Sequence, residues 1–309
     1  MKEFAGVKSA SYAISRVGCY PTNRFIRRFT LDLAAKNKND NYFNDVLSSQ
    51  FRIEPADNIT AVLTAADGAD FDIENGTQKE LMMCGAPTKQ LENLQSRILE
   101  YGLYPQSLEI GTVATLGGLA HYCRRKKVTA PTLILEITPA NSNVFIFRDG
   151  VLDVSRPIPF GVDSMYPAIQ QELGLKDEGS ARKLFYSNTF DFTEMGPKLL
   201  KKMLKELQAS TGFYEVQTGQ TIGQIFLTLL PKNLNWVGEV LGNALGVEVL
   251  QPDFGSWLKS LKIQVGDTVD VANLESRWFS LFSLMGSFQA QESETEESAE
   301  TETKEGSSA

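Results

Sequence analysis

The sequence predicts an α/β protein built in two lobes, and three observations carry that reading. Candidate strands and helices alternate along the chain in two successive runs, which is the pattern of α/β folds. The runs meet at a basic break, Arg124-Arg125-Lys126-Lys127. A chain of 309 residues with 42% hydrophobic content can fill two cores of ordinary domain size. The expected organisation is a first lobe over 1–124, a second over 125–288 and an acidic, disordered tail over 289–309.

The first run opens at Met1 to Phe4 with Ala5-Gly6, which reads as the last turn of a helix followed by its glycine. Ser11 to Val17 alternates as a strand and Pro21 closes it. Asn23 is placed to cap a helix through Ala34, with Phe25, Ile26, Phe29 and Leu33 at helical spacing. Asn37 to Asn41 is a polar turn, and Phe43 to Gln50 suits a second helix. Ile59 to Thr64 and Glu80 to Cys84 read as strands on either side of a polar loop. Gly85-Ala86-Pro87-Thr88 then opens a helix to Tyr101, with Leu91, Leu94, Ile98 and Leu99 along one face and Gly102 at its end. A short strand over Pro105 to Ile110 precedes a helix capped by Thr112 and running to Cys123. Its inner Gly117-Gly118 pair suits close helix packing, and the four cations that follow favour the negative end of the helix dipole.

The second run begins with strands over Thr132 to Ile137 and Asn143 to Phe147. Arg148-Asp149-Gly150 is a hairpin signal, and Val151 to Ile158 is the partner strand. Asp163 or Ser164 caps a helix to Leu173, Asp177 to Leu184 forms another, and Pro197 leads a longer one through Leu207. Ile222 to Leu230 is a strand stopped by Pro231, Leu234 to Leu245 a helix stopped by Gly246, and Val247 to Leu250 a strand. Leu274 to Met285 reads as an apolar core helix packing the second lobe, since its polar positions lack the basic residues that favour membrane binding.

Charge and cysteine content exclude several functions. The net charge is −8, of which seven Glu and one Lys from Gln291 onward contribute −6, leaving −2 for the rest. That near-neutral body has no basic face for nucleic acid. Three distant cysteines, Cys19, Cys84 and Cys123, fit neither a disulfide framework nor a metal knuckle. No signal peptide and no span of about 18 apolar residues is visible, so the expected location is cytoplasmic. His121, the only histidine, sits next to Tyr122 and Cys123 on a helix, where neighbours do not face each other, so a Cys–His dyad is not expected. Asp67, Asp70, Asp72 and Glu74 lack the spacing and terminal Glu of a calcium loop and read as a solvated loop.

Three stretches resemble the PilM family, the actin-like proteins of type IV pilus assembly related to FtsA and to the cytoplasmic part of GspL. The first is Ala86-Pro87-Thr88 and the helix ending Leu99-Glu100-Tyr101-Gly102-Leu103-Tyr104-Pro105. The second is Leu133 to Ile137, the turn at Arg148-Asp149-Gly150, and Arg156-Pro157-Ile158-Pro159-Phe160-Gly161-Val162-Asp163. The third runs from Ile225 to Leu230, through the helix to Leu245, and on to Val247-Glu248-Val249-Leu250 and Gln251-Pro252. The order and spacing of the three carry the resemblance over residues 7 to 286. It implies an actin-like (ribonuclease H-like) two-lobed fold with an inserted small α/β subdomain, lacking the first hairpin.

The resemblance also implies where a nucleotide would sit, and this sequence departs from the pattern there. Actin-type ATPases bring glycine-rich turns close to the phosphates and the base, so that backbone N–H groups approach with no Cβ in the way. The first such hairpin precedes the start of this chain. At the second, Glu136, Ile137, Thr138, Pro139, Ala140 and Asn141 stand where the family has Asp and then Gly, and Pro139 offers no N–H. Glu136 keeps a carboxylate able to hold a metal through water, one methylene longer. The base-binding turn is Leu229, Leu230, Pro231. The degenerate nucleotide site is therefore Glu136, Thr138, Asn141 and Leu229, with no catalytic residue, no metal and no cofactor expected. The function implied is a scaffold that binds the cytoplasmic tail of a bitopic inner-membrane partner of PilN type, with indirect membrane contact and with self-association left open. Phe25, Arg27 and Arg28 are the nominated partner contacts, as aromatic and cationic side chains that suit a peptide. The alternative is an ATP-binding switch whose phosphate hairpin is missing from the chain. A small-molecule kinase of the same superfamily would need a catalytic Asp and phosphate turns that are not seen.

Overall fold

The computed structural model describes residues 12–66, 68–187 and 189–286. The expectations for Met1 to Gly6, for Asp67 and for the acidic tail lie outside them. Strand β1 (Ala13–Cys19) comes first. The next element corrects the sequence reading: residues 25–30 form a strand, β2 (Phe25–Thr30), and not a helix. Asn23 is not a cap but a turn residue, with φ of 63°. The helical spacing misled because both faces of β2 are covered. Phe25 and Phe29 face one core and Ile26 another, so no plain alternation survives, while the aromatic and β-branched content suits a strand.

Two short helices follow, α1 (Leu33–Lys36) and α2 (Tyr42–Asp45), the second running into a π-helical turn, Val46–Gln50. Strands β3 (Asn58–Thr64) and β4 (Glu80–Pro87) complete an antiparallel sheet of order β2-β4-β3. Phe25, Phe29, Leu47, Leu81 and Met83 fill the small core between this sheet and the helices. The chain then runs through α3 (Thr88–Glu100), β5 (Leu103–Ile110) and α4 (Gly111–Lys126). Strand β5 pairs in parallel with β1, so residues between them in sequence form an inserted α/β subdomain and a crossover helix. Lys127 ends α4 in the left-handed conformation.

The second lobe is built on a five-stranded sheet. Strands β6 (Thr132–Ile137), β7 (Ser142–Arg148) and β8 (Val151–Ile158) form an antiparallel meander. Asp149 and Gly150 both have positive φ, as the tight hairpin turn between right-twisted strands requires. Helices α5 (Tyr166–Leu173), α6 (Glu178–Tyr186), α7 (Gly196–Leu199) and α8 (Lys201–Thr218) lead to β9 (Gln224–Thr228). Helix α9 (Asn235–Leu245) crosses to β10 (Glu248–Val249). The sheet order is β10-β9-β6-β7-β8, with β9 and β10 parallel to β6. Every residue of β6 is buried, as expected of a central strand packed on both faces.

The last described residues differ from expectation in two ways. An unforeseen helix, α10 (Phe254–Ser260), starts at Asp253, whose carboxylate accepts from the Ser256 N–H. The last helix, α11 (residues 279–286), begins only after a single 3₁₀ turn, Ser276–Trp278. Nor does it pack the second lobe alone. Phe279 stacks on Trp257 at 4.1 Å and meets Tyr122 of α4 and Phe226 of β9. This core draws on both lobes, joining Leu119 and Tyr122 to Ile134, Phe145 and Phe226. Gly118 is the close-packed half of the glycine pair: a Cβ there would lie 1.9 Å from Ser283 Oγ, whereas Gly117 faces open space.

Candidate functional site

A cleft of about 840 Å³ opens between the inserted subdomain and the second lobe. Its walls bring together Arg24, Phe25 and Arg27 from around β2 with Thr138, Asn141, Asn143 and Leu229 from the ends of β6, β7 and β9. Five of the seven residues nominated for nucleotide or partner thus line one cavity, and Glu136 and Arg28 do not. Strand topology explains this, since β6 and β9 run in parallel and end at the same edge of the sheet.

Glu136 lies beneath the floor, completely buried behind the lining residues Arg24 and Asn143. Both its oxygens are occupied. Oε1 accepts from the Arg24 guanidinium and from Asn143 Nδ2 at 3.0 Å, and Oε2 accepts from Thr112 Oγ1 at 2.6 Å. Arg24 also donates from Nε to Thr112 Oγ1 at 2.8 Å and lies over the Tyr20 ring at 5.0 Å. Arg24 is nearly as buried as its partner, with 6% of its side chain exposed. A buried carboxylate needs such a partner. The sequence signal was a lone acid in the apolar run Thr132–Ile137, but nothing in it said which arginine would answer. Arg24, Thr112 and Asn143 are the site residues that sequence reasoning did not assign. The guanidinium beside this carboxylate opposes a divalent cation at the same oxygens.

The turn above the floor is tied to itself. Thr138 N–H donates to Asn141 O at 2.9 Å, Pro139 has no N–H, and Asn141 N–H donates to Thr138 Oγ1 at 3.2 Å. Thr138 and Pro139 carbonyls in turn accept from Val162 and Asp163 N–H groups. Gly161 makes that approach possible: a Cβ there would lie 2.3 Å from Pro139 O. The Thr138 and Asn141 amides of this turn are therefore spent on the protein. Leu229 holds φ of 69° at the turn after β9, a conformation that costs a residue with a Cβ about 1–2 kcal/mol. The Thr228 hydroxyl before it is buried without a hydrogen bond.

The three nominated partner residues separate. Phe25 is buried, with a ring carbon 2.6 Å from where a Cβ on Gly85 would stand. Arg28 is committed to Glu80 and, across to the second lobe, to Asp153 at 3.2 Å. Arg27 alone lines the cleft with spare donors. Its Nη1 donates to Ile26 O at 2.9 Å, and among the described residues no carboxylate is in ion-pair contact with it. Burial pushes its guanidinium below the ordinary arginine range.

Other nominated chemistry resolves into structure. His121 Nδ1 accepts from Trp257 Nε1 at 3.2 Å. Asp72 accepts from the N–H groups of Glu74 and Asn75, closing a polar turn.

The overall fold matches that of a known solved structure. The chain superposes on a component of a PilM-PilN type IV pilus biogenesis complex with a TM-score of 0.62 at 15% identity, over 85% of this chain and 76% of that one. The fold is actin-like. A Bacteroides thetaiotaomicron protein described as having an actin-like ATPase fold and unknown function aligns over 79% of this chain and 69% of its own, with a TM-score of 0.42 and 8% identity. The cytoplasmic domain of EpsL, an inner-membrane component of the type II secretion system of Vibrio cholerae, aligns over 89% and 74%, with a TM-score of 0.36 and 8% identity. No family model and no curated protein sequence matches the chain. Within this actin-like frame, the three-stranded β2-β4-β3 sheet is the inserted subdomain, set between the parallel strands β1 and β5. Among the described residues no helix is long and apolar enough to cross a membrane.

Proposed function

We propose that this chain is a cytoplasmic scaffold of a type IV pilus or type II secretion-like inner-membrane platform, which binds the cytoplasmic tail of a bitopic PilN-type partner and does not turn over nucleotide. The observation that carries the reading lies beneath the cleft, where Arg24, Thr112 and Asn143 hold the buried Glu136 carboxylate. The fold shared with a component of a PilM-PilN complex supports the class of partner. In this reading membrane contact runs through that partner, and Arg27 supplies the cleft's available cation for an extended peptide.

Titration of a fluorescent ATP analogue with Mg²⁺ tests the first half. No saturation is expected below about 1 mM, and a micromolar Kd would replace the scaffold with the switch reading. One feature favours that second reading: the cleft volume falls within the range of about 300–1,000 Å³ common to small-molecule sites. Pull-down with the N-terminal peptide of a neighbouring single-span membrane protein tests the second half. Capture that Arg27→Ala weakens supports it, and no binding at high micromolar peptide counts against it.

A further inference from the structure

Arginine placement in this protein follows one rule with one exception. Among the described residues, every arginine but one is either ion-paired with a carboxylate or exposed to water. The exception is Arg27 of β2, half-buried on the wall of the cleft. A cation drawn out of water without a counter-charge is costly, and burial lowers the Arg27 pKa with no carboxylate acting against it. Glu54 and Asp57, the two carboxylates on the cleft's lining, do not answer it. Both are exposed on the segment before β3, and neither is in ion-pair contact with Arg27.

The free part of the guanidinium has a definite shape. Nη1 donates to Ile26 O at 2.9 Å, and Nε and Nη2 have no partner among the described residues. Those two nitrogens form one edge of the planar group, and such an edge takes a carboxylate through two parallel hydrogen bonds. The rest of the lining suits a peptide main chain. Asn141 Nδ2 offers a donor and Asn143 Oδ1 an acceptor, neither of them hydrogen-bonded among the described residues. Pro87, Pro139 and Pro157 stiffen the walls, and a stiff site loses little freedom on binding.

On the scaffold reading of this cleft, on which the assignment rests, we propose that the occupant is an extended peptide carrying an aspartate or glutamate whose carboxylate closes on the open edge of Arg27. The fold keeps this counter-charge back, so the partner has to bring it.

The test selects linear peptides from a randomised display library on the whole chain and measures the selected peptides by calorimetry. An Asp or Glu at one shared position is expected, and its replacement by Asn or Gln should weaken binding at least about tenfold, as loss of a charge-assisted pair does. Arg27→Met should weaken the acidic peptide equally, and the two changes together should cost little more than either alone. Arg27→Glu should turn the preference to Lys or Arg at that position. Because the cation has no partner in the free chain, Arg27→Met should leave the thermal midpoint unchanged or raised, which loss of a structural arginine would not do. Should that variant fail to fold, Arg27→Gln takes its place in the same cycle. Selected peptides that crosslink to the cleft but share no acidic position would overturn the assignment and leave the scaffold reading standing. An acidic preference that survives Arg27→Met would overturn it too. So would a peptide of residues 289–309, rich in Glu, that binds as tightly as the selected ones, since the cation would then belong to the chain's own acidic segment. No binder at about 100 µM would count against both readings.

Discussion

Arg24 and Glu136 are buried together at the bottom of the cleft, where each is worth more as a partner than alone. Removing one member of such a pair leaves an uncompensated charge, so Arg24→Ala should lower unfolding stability by about 3–5 kcal/mol. The double variant Arg24→Met with Glu136→Gln should recover most of that loss, because neither charge then remains. Urea denaturation of the three proteins checks this, and a single-variant cost below about 1 kcal/mol would mean water reaches the floor. A second residue gives a pH signature. Burial, helped by Arg124 and Arg125, holds the His121 imidazole below its ordinary value of 6.5. The neutral ring accepts the Trp257 N–H. The unfolded chain therefore takes up the proton more readily, and stability should fall as pH drops below 6.5. As His121 is the only histidine, His121→Asn should flatten the midpoint between about pH 7 and pH 5.5, where no other side chain has its ordinary titration. Neither Arg24 nor Trp257 could be matched to its partner from the sequence, because both contacts join residues more than a hundred positions apart.

Elements were legible where local chemistry and tertiary context agreed. The Asp149-Gly150 turn, the apolar β6 and the α3 face with its closing Gly102 needed no knowledge of neighbours. The stretch 23–34 failed because helical spacing of Phe25, Ile26 and Phe29 is also what a strand shows when two different cores claim its two faces. Helix α10 was hidden by its shortness and by Gly255, and its start at Asp253 depends on a side-chain cap. The glycine pair of α4 offers a test at this scale, with adjacent residues of opposite sign. Gly117 is exposed with nothing within 4 Å of its missing Cβ, so Gly117→Ala should stabilise by about 0.5–1 kcal/mol through helix propensity. At Gly118 the added methyl meets Ser283 and Phe279, so Gly118→Ala should destabilise by about 1–3 kcal/mol through overpacking. Thermal midpoints moving the same way in both variants would show that α11 does not seat on α4 as described.

The two lobes of this chain are tied together directly. Arg28 ties the inserted subdomain to Asp153 of β8, and Ser155 Oγ donates to Ile26 O, so β2 and β8 are bound side by side. Below them one aromatic core runs through both lobes, with Phe279 fully buried among Tyr122, Phe226 and Trp257. A shared core makes the lobes one cooperative unit, and the chain should unfold in a single transition with coincident near- and far-ultraviolet signals. Phe279→Ala removes the ring at the centre of that core, at a cost of about 3–5 kcal/mol. If the lobes are coupled through it, amides of β5 in the first lobe and β9 in the second should lose protection together in native-state hydrogen exchange. If the lobes are independent, protection will fall on one side only, and the variant will show two separated transitions. A scaffold that presents a fixed surface needs the first behaviour, whereas a switch that opens and closes about a ligand needs lobes that can part without unfolding.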